Sequence, residues 1–341
     1  MANPPGTLNQ LVDLLRQYRL SAVAMAACEL DLFSALEDPE QSIEGLAARC
    51  GASALGMELL LNACAALGLV HCGAREGGRR YSNSALAQVY LVRSSPRFIG
   101  SAAMRQYHVL YQTWGRLAEA LRTQRPVQPY GREGLASMSD EEVRAYVLGL
   151  YERGRDGARA FARRLDLCDR RHLLDVGAGA GTYSFELLER SPHLHATLFE
   201  LPRVLRFTRE LLGGVSIAPR VRLREGDYHE DDLGSGYDCA LLSNILQTES
   251  ETSCQALLRK VFASLEPGGL LIVNGIMHDA TSPAELEQAL FSLSMLLYFP
   301  EGRAHAADTV TTWLTEVGFT SITTSPPEPP AIHTLIAARK P

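Results

Sequence analysis

Leu173-Leu174-Asp175-Val176-Gly177-Ala178-Gly179-Ala180-Gly181 is the stretch whose reading decides the fold of this chain. A short apolar run carrying one acid ends in alternate glycines, the pattern of a buried strand that hands its backbone to a ligand. Missing side chains let such a turn approach a bound group at the N-terminus of the helix expected over Thr182–Arg190.

Downstream of this stretch, short apolar runs alternate with helical ones. Strands are expected at Leu173–Val176, Thr197–Glu200, Val221–Leu223, Cys239–Ser243, Leu270–Asn274, Ser321–Thr324 and Thr334–Ala338. That alternation predicts a doubly wound, mainly parallel α/β sheet of Rossmann-like type over 165–341.

Upstream, apolar residues recur at helical spacing through Leu11, Leu14, Leu15 and later Leu117, Leu121, so 1–164 is expected to be an all-α domain. Within it, Ser42 caps Ile43–Arg49, Cys50-Gly51 stops that helix, and a second helix follows near Ala54–Leu67. Gly68–Cys72 and Arg80–Ser82 then flank a turn with Gly73, Gly77 and Gly78, which completes a winged helix. Its would-be recognition helix, 54–64, holds one Glu and no Lys or Arg, so it is expected to pack at a subunit or domain contact rather than enter a DNA groove. Arg122–Tyr130 reads as a crossover, and Ser139-Asp140-Glu141-Glu142 opens a long, well-capped helix toward Arg164.

Composition narrows the class. At 341 residues, 46% hydrophobic and 21% charged, the chain is long enough for two globular cores. A net charge of −6 leaves no cationic excess for a phosphate backbone or an anionic membrane, so no nucleic-acid or membrane partner is expected. Met1-Ala2-Asn3-Pro4-Pro5 lacks a signal peptide's basic start, and no run of about 18 apolar residues occurs, which points to the cytoplasm. Seven dispersed cysteines without a Cys-x-x-Cys pair suggest free thiols and no metal centre.

Open α/β sheets bind ligands beyond the carboxyl ends of their strands, and chemistry-bearing residues collect there. A dinucleotide loop reads Gly-x-Gly-x-x-Gly; here Thr182 fills the last slot, which favours S-adenosylmethionine over NAD. Asp175 is placed to order the loop or to meet the cofactor's ammonium. Glu200 lies 23 residues beyond Gly177, where a carboxylate accepts from both ribose hydroxyls. Asp227 and Tyr228 suit an adenine, one for its amino group and one for its ring. Ser243 and Asn244 complete the set.

With Phe199-Glu200-Leu201-Pro202, Gly226-Asp227-Tyr228, Leu265-Glu266-Pro267-Gly268-Gly269 and Trp313-Leu314…Gly318-Phe319, the chain resembles the small-molecule O-methyltransferases of plant secondary metabolism and bacterial antibiotic pathways. The resemblance spans nearly the whole chain. It implies a methyltransferase sheet whose last strand is antiparallel, a winged-helix domain that forms an intertwined homodimer, and cofactor contacts from Gly177, Gly179, Glu200, Asp227, Tyr228 and Ser243.

The chain departs from that pattern at the catalytic base. Where phenol-methylating relatives carry His after the fourth strand stands Gln247, an amide with no useful pKa, and the partner acid's position falls near Ser292. Three readings follow: an acceptor that arrives ionised and is oriented by Gln247; another base, with His278 first and His305, His108 and Glu249 behind it; or methylation of carbon or nitrogen. A relative whose bound cofactor assists another reaction, and a ligand-sensing winged-helix regulator, are the rival functions. His108, Trp114 and Met295 are candidates to wall a pocket for a flat or greasy acceptor, with core packing the alternative.

Overall fold

The computed structural model describes residues 5–38, 42–75, 78–278, 286–328 and 332–341. The chain divides into two compact units, Met1–Gly115 and Arg116–Pro341.

The first unit is helical except for one hairpin. Ser42 and Ser53 cap the helices Ile43–Arg49 and Ala54–Ala66 by accepting from the N–H groups of Gly45 (3.1 Å) and Gly56 (3.0 Å). Strands β1 (Val70–Arg75) and β2 (Gly78–Asn83) pair antiparallel. Gly77, expected in their turn, lies outside the described residues. Leu32, Phe33, Met57 and Leu61 form this unit's core, while Leu55 and Leu59 of the would-be recognition helix are exposed.

The second unit carries the sheet. Its strands are β3 (His172–Val176), β4 (His195–Glu200), β5 (Val221–Glu225), β6 (Tyr237–Ser243), β7 (Leu265–Gly275), β8 (Thr320–Ser325) and β9 (Thr334–Arg339), in the order β5-β4-β3-β6-β7-β9-β8. All seven expected strands are present, and β9, inserted antiparallel between β7 and β8, is the one reversed strand. Central β3 is buried along Leu173–Val176, whereas edge β8 has no buried residue, as apolar runs inside and polar runs at an edge dictate. One face packs Leu173, Leu198 and Leu241 on Phe185, Leu188 and Leu205; the other packs Leu174, Ala240 and Leu271 on Leu257, Leu258 and Trp313.

The helix Asp140–Arg163 begins with the expected capping box, Ser139 and Glu142 each satisfying the other's backbone. It belongs to the sheet unit: Val143, Val147 and Leu150 pack with Val204 and Phe207 of the helix Pro202–Leu212. The compact units therefore divide at Gly115, although the alternating strand pattern starts only after 164. No helix among the described residues is long and apolar enough to cross a membrane.

Candidate active site

Strand order reverses between β3 and β6, so the crevice at their carboxyl ends is the switch point of the sheet. After β3 the chain turns through Gly177 (φ +67°) and Gly179 (φ +54°) into the helix Thr182–Arg190. Both glycines take left-handed backbone, and a Cβ on Gly177 would stand 2.3 Å from Ile245 Cδ1 and 3.6 Å from Tyr228 Cε1. Ile245 packs directly against the Gly177 backbone, which leaves no space for a Cβ there.

The loop is pinned from outside. Glu200, at the end of β4, accepts from Gly179 N–H (2.9 Å) and Leu201 N–H (2.7 Å), and Thr208 donates to Gly179 O (2.7 Å). Burial pushes the Glu200 carboxyl above its usual range, the two N–H groups pull it back, and the Asp227 charge adds to the rise. Asp175 works from beneath: it is 2% exposed and accepts from Ser184 Oγ at 2.5 Å, with its pKa raised by burial to about 7. That position suits ordering the loop better than meeting a ligand.

Beyond β5, Asp227 accepts from Arg132 Nη1 (3.1 Å) and His229 N–H (2.9 Å). Tyr228 donates its hydroxyl to Glu249 Oε1 (2.6 Å); burial, then the Glu249 charge, holds the phenol well above its ordinary pKa. Glu249 also faces His229 Nε2 at 3.3 Å. Lys260 Nζ gathers the carbonyls of Tyr228 (2.9 Å), His229 (2.9 Å) and Asp231 (3.0 Å), fixing the segment that presents Asp227 and Tyr228. The spacing of acids gives no signal for Lys260 or Arg132, because each acts across a helix-to-loop contact distant in sequence.

At the ends of β6 and β7 the chemistry is neutral. Asn274, 2% exposed, donates to Ser243 Oγ (3.0 Å); Asn244, at φ +59°, reaches Ser243 Oγ (3.4 Å) and Tyr183 Oη (3.5 Å). Gln247 Nε2 donates to Asn244 Oδ1 (3.0 Å), and a Cβ on Gly275 would stand 2.9 Å from Gln247 Oε1. Gln247 is 7% exposed, and its carbonyl accepts from Arg303 N–H (2.9 Å). Tyr183, whose phenol burial pushes upward, and Asn274 were not legible as site residues; one sits in a helix and the other ends an apolar strand.

The remaining candidates have other partners or belong to the first unit. His278 is half-buried and held through its backbone, donating to His305 O (3.3 Å) and accepting from Ala307 N–H (2.9 Å). His305 is 5% exposed and structural: Nε2 lies 2.9 Å from Leu246 O and 3.2 Å from Glu249 O, and burial lowers its pKa. Ser292 Oγ accepts from Ala304 N–H (3.2 Å). Met295 lies half-buried in the helix Leu286–Tyr298 of the sheet unit. His108 and half-buried Trp114 belong to the first unit, where His108 pairs with Glu29 at 3.0 Å.

Fold and crevice define a doubly wound α/β protein whose switch point lies between acidic and amide-lined strand ends. An O-methyltransferase domain is matched over residues 114–320 and an O-methyltransferase dimerisation domain over 12–93. The sequence is 31% identical over 332 residues to a 3-hydroxy-5-methyl-1-naphthoate 3-O-methyltransferase of Streptomyces sahachiroi, covering 97% of this chain and 94% of that one. It is 31% identical over 338 residues to the tetracenomycin polyketide synthesis 8-O-methyl transferase of Streptomyces glaucescens, covering 99% and 97%. The crystal structure of human N-acetylserotonin methyltransferase in complex with S-adenosylmethionine is similar across 100% of this chain and 99% of that one, with a TM-score of 0.85 at 27% identity. The chain belongs to the O-methyltransferase family, whose enzymes depend on S-adenosylmethionine.

Proposed function

We propose that this enzyme methylates a hydroxyl of an aromatic or polyketide-like small molecule, by positioning the acceptor rather than by base catalysis. The observation that carries the reading is the contrast at the switch point: a glycine cradle gripped by the Glu200 carboxylate on one side, and the neutral Gln247–Asn244–Ser243 network on the other.

The residues present fit S-adenosylmethionine. Gly177 (φ +67°) and Gly179 (φ +54°) present bare left-handed backbone at the switch point, with Ile245 and Tyr228 packed beside Gly177. Gly177, Gly179, Glu200, Asp227, Tyr228 and Ser243 would hold the cofactor, with Asp175 and Lys260 holding the loops that present them. Bound there, S-adenosylmethionine supplies an electrophilic methyl group for direct displacement by the acceptor oxygen. The chain's own task is then to align the acceptor and exclude water. Gln247 offers a hydrogen bond that orients the acceptor oxygen, and the hydroxyl proton leaves to solvent or is lost before binding. His278 is the alternative base, lying past the end of β7.

The match of residues 12–93 to a dimerisation domain supports a homodimer formed through the first unit, with exposed Leu8, Leu15, Leu55 and Leu59 available to it. His108, Trp114 and Met295 are proposed to contact the acceptor, and the cytoplasm is the proposed location.

Calorimetric titration of stripped protein with S-adenosylmethionine tests the cofactor assignment; no measurable heat, with Asp227→Ala behaving as wild type, would sink it. Products formed from trideuteromethyl-labelled cofactor and analysed by mass spectrometry and NMR test the acceptor atom. Label on carbon or nitrogen overturns O-methylation and fits the absence of a base at Gln247 equally well.

A further inference from the structure

A second set of side chains converges at the opposite, amino ends of β3, β4 and β5. His172 is the register partner of His195, and Thr197 that of Arg222, so by the two-residue period of a strand all four stand on one face of the sheet. The two imidazoles lie 6.3 Å apart with planes 22° from parallel. Together with Arg171 and Arg220 these residues line a cavity of about 490 Å³ whose walls contain three arginines and no Asp or Glu.

The charges there are fixed but not neutralised. Arg220 donates to the carbonyls of Leu188 (2.9 Å), Ser191 (2.9 Å) and Leu194 (3.0 Å), and Arg171 to those of Cys168 (3.3 Å) and Arg170 (3.2 Å). Asp238, the acid that touches this segment, accepts from the backbone N–H groups of Arg171 (2.7 Å) and His172 (2.9 Å). Among the described residues, the side chains of His172, His195, Thr197 and Arg222 have no hydrogen-bond or ion-pair partner. In a chain of net charge −6, a concave wall of uncancelled guanidinium charge around unused donors is a receptor for an anion. A guanidinium fork suits a tetrahedral oxyanion, and the volume lies within the roughly 300–1,000 Å³ of small-molecule sites.

We propose that this cavity is a second ligand site, taking a small phosphate-bearing dianion and lying at the other end of the strands from the cofactor crevice. The full-length protein, with S-adenosylhomocysteine in excess to fill the crevice, is titrated with inorganic phosphate and with phenyl phosphate while phosphorus line widths are followed. Saturable binding is expected, with Arg222→Gln weakening it on the order of tenfold and Thr197→Val by about threefold. Tighter binding of phenyl phosphate assigns an organic monoester; equal affinity assigns free phosphate. Line widths that never saturate, or binding unchanged in both variants while they melt as wild type, overturn the proposal. The same titration without S-adenosylhomocysteine separates the two sites: phosphate that S-adenosylhomocysteine displaces sits in the crevice, and the cavity is then no site.

Discussion

The strand ends on the two sides of the switch point solve different problems with different chemistry. On the β4 and β5 side, Glu200 and Asp227 put carboxylates onto backbone N–H groups and onto Arg132, charge-assisted bonds that tie the loops in place. On the β6 and β7 side, Ser243, Asn244, Asn274 and Gln247 join hands as neutral donors and acceptors, with no titratable group that gains or loses charge near neutrality. The difference teaches that the charged groups of this switch point gather on one side of it, which on the proposed reading is the cofactor's side, and that the other side is built from amides and a hydroxyl.

The strongest way to break the comparison is to fill the cradle. Gly177→Ala would set a methyl 2.3 Å from Ile245 Cδ1 at a φ of +67°, so Ile245 must shift and the loop backbone is strained. Cofactor affinity is expected to fall by about a hundredfold or more, with about 1–3 kcal/mol of stability lost to backbone strain; calorimetry and thermal melting read both. Glu200→Ala is expected to come next. It frees the Gly179 and Leu201 N–H groups together, and at about 1.5–3 kcal/mol for each bond to a charged group, the cofactor Kd should rise on the order of a hundredfold. If Glu200→Ala binds as wild type, the acidic side is not the cofactor's side.

Asp175 sharpens the same comparison through stability. Its pKa of about 7 in the folded protein stands above the ordinary 3.8 of an aspartate, so the folded state binds the proton more tightly than the unfolded one. The associated stability is complete below about pH 4 and is lost as pH rises through about 7. Asp175→Asn removes that dependence and is expected to gain roughly 2–3 kcal/mol more over wild type at pH 8 than at pH 5, measured by urea unfolding. Equal gains at both pH values would show that Asp175 does not titrate in this window.

Lys260 tests whether the loop beyond β5 is held by point charge. Of 33 basic residues only Lys260 and Lys340 are lysines, and each ammonium collects backbone carbonyls, Lys340 taking those of Phe262 (2.8 Å) and Leu265 (2.7 Å). A tetrahedral ammonium reaches the carbonyls of Tyr228, His229 and Asp231 together, which a planar guanidinium does not. Lys260→Met is expected to raise the cofactor KM by about tenfold with kcat little changed, and Lys260→Arg not to rescue it. Full rescue by arginine would reduce the contact to simple charge.

Much of this was legible before any coordinates, and the reason is local. Buried strands such as Leu173–Val176 announce themselves by apolar runs, Ser42 and Ser139 by capping chemistry, and the acids by their place just after strands. What stayed hidden depends on pairs far apart in sequence. Asp175 reads as a residue that orders the loop or meets the cofactor, and its partner Ser184, which lies nine residues on, shows only in the fold. His305 looks like a candidate base until its ring is found buried against the carbonyls of Leu246 and Glu249. The unit boundary at Gly115 was hidden for the same reason, since the helix Asp140–Arg163 has the texture of the helical half but packs through Val143 and Val147 on Val204 and Phe207 of the helix Pro202–Leu212.

The smallest expected effect is the most informative about the reaction. Gln247→Leu nearly keeps the volume and removes the hydrogen bond to Asn244. If Gln247 only orients the acceptor, kcat should fall about tenfold or less, with no new limb in its pH profile. A fall of roughly 10²–10⁴, the range for losing general acid–base catalysis, would mean that the amide side moves a proton after all, through Gln247 or a water it holds. Gln247→His supplies the complementary result: a rate that climbs with pH across the imidazole range would show that the crevice has room for a base it ordinarily does without, and an unchanged profile would leave geometry as the whole of its contribution.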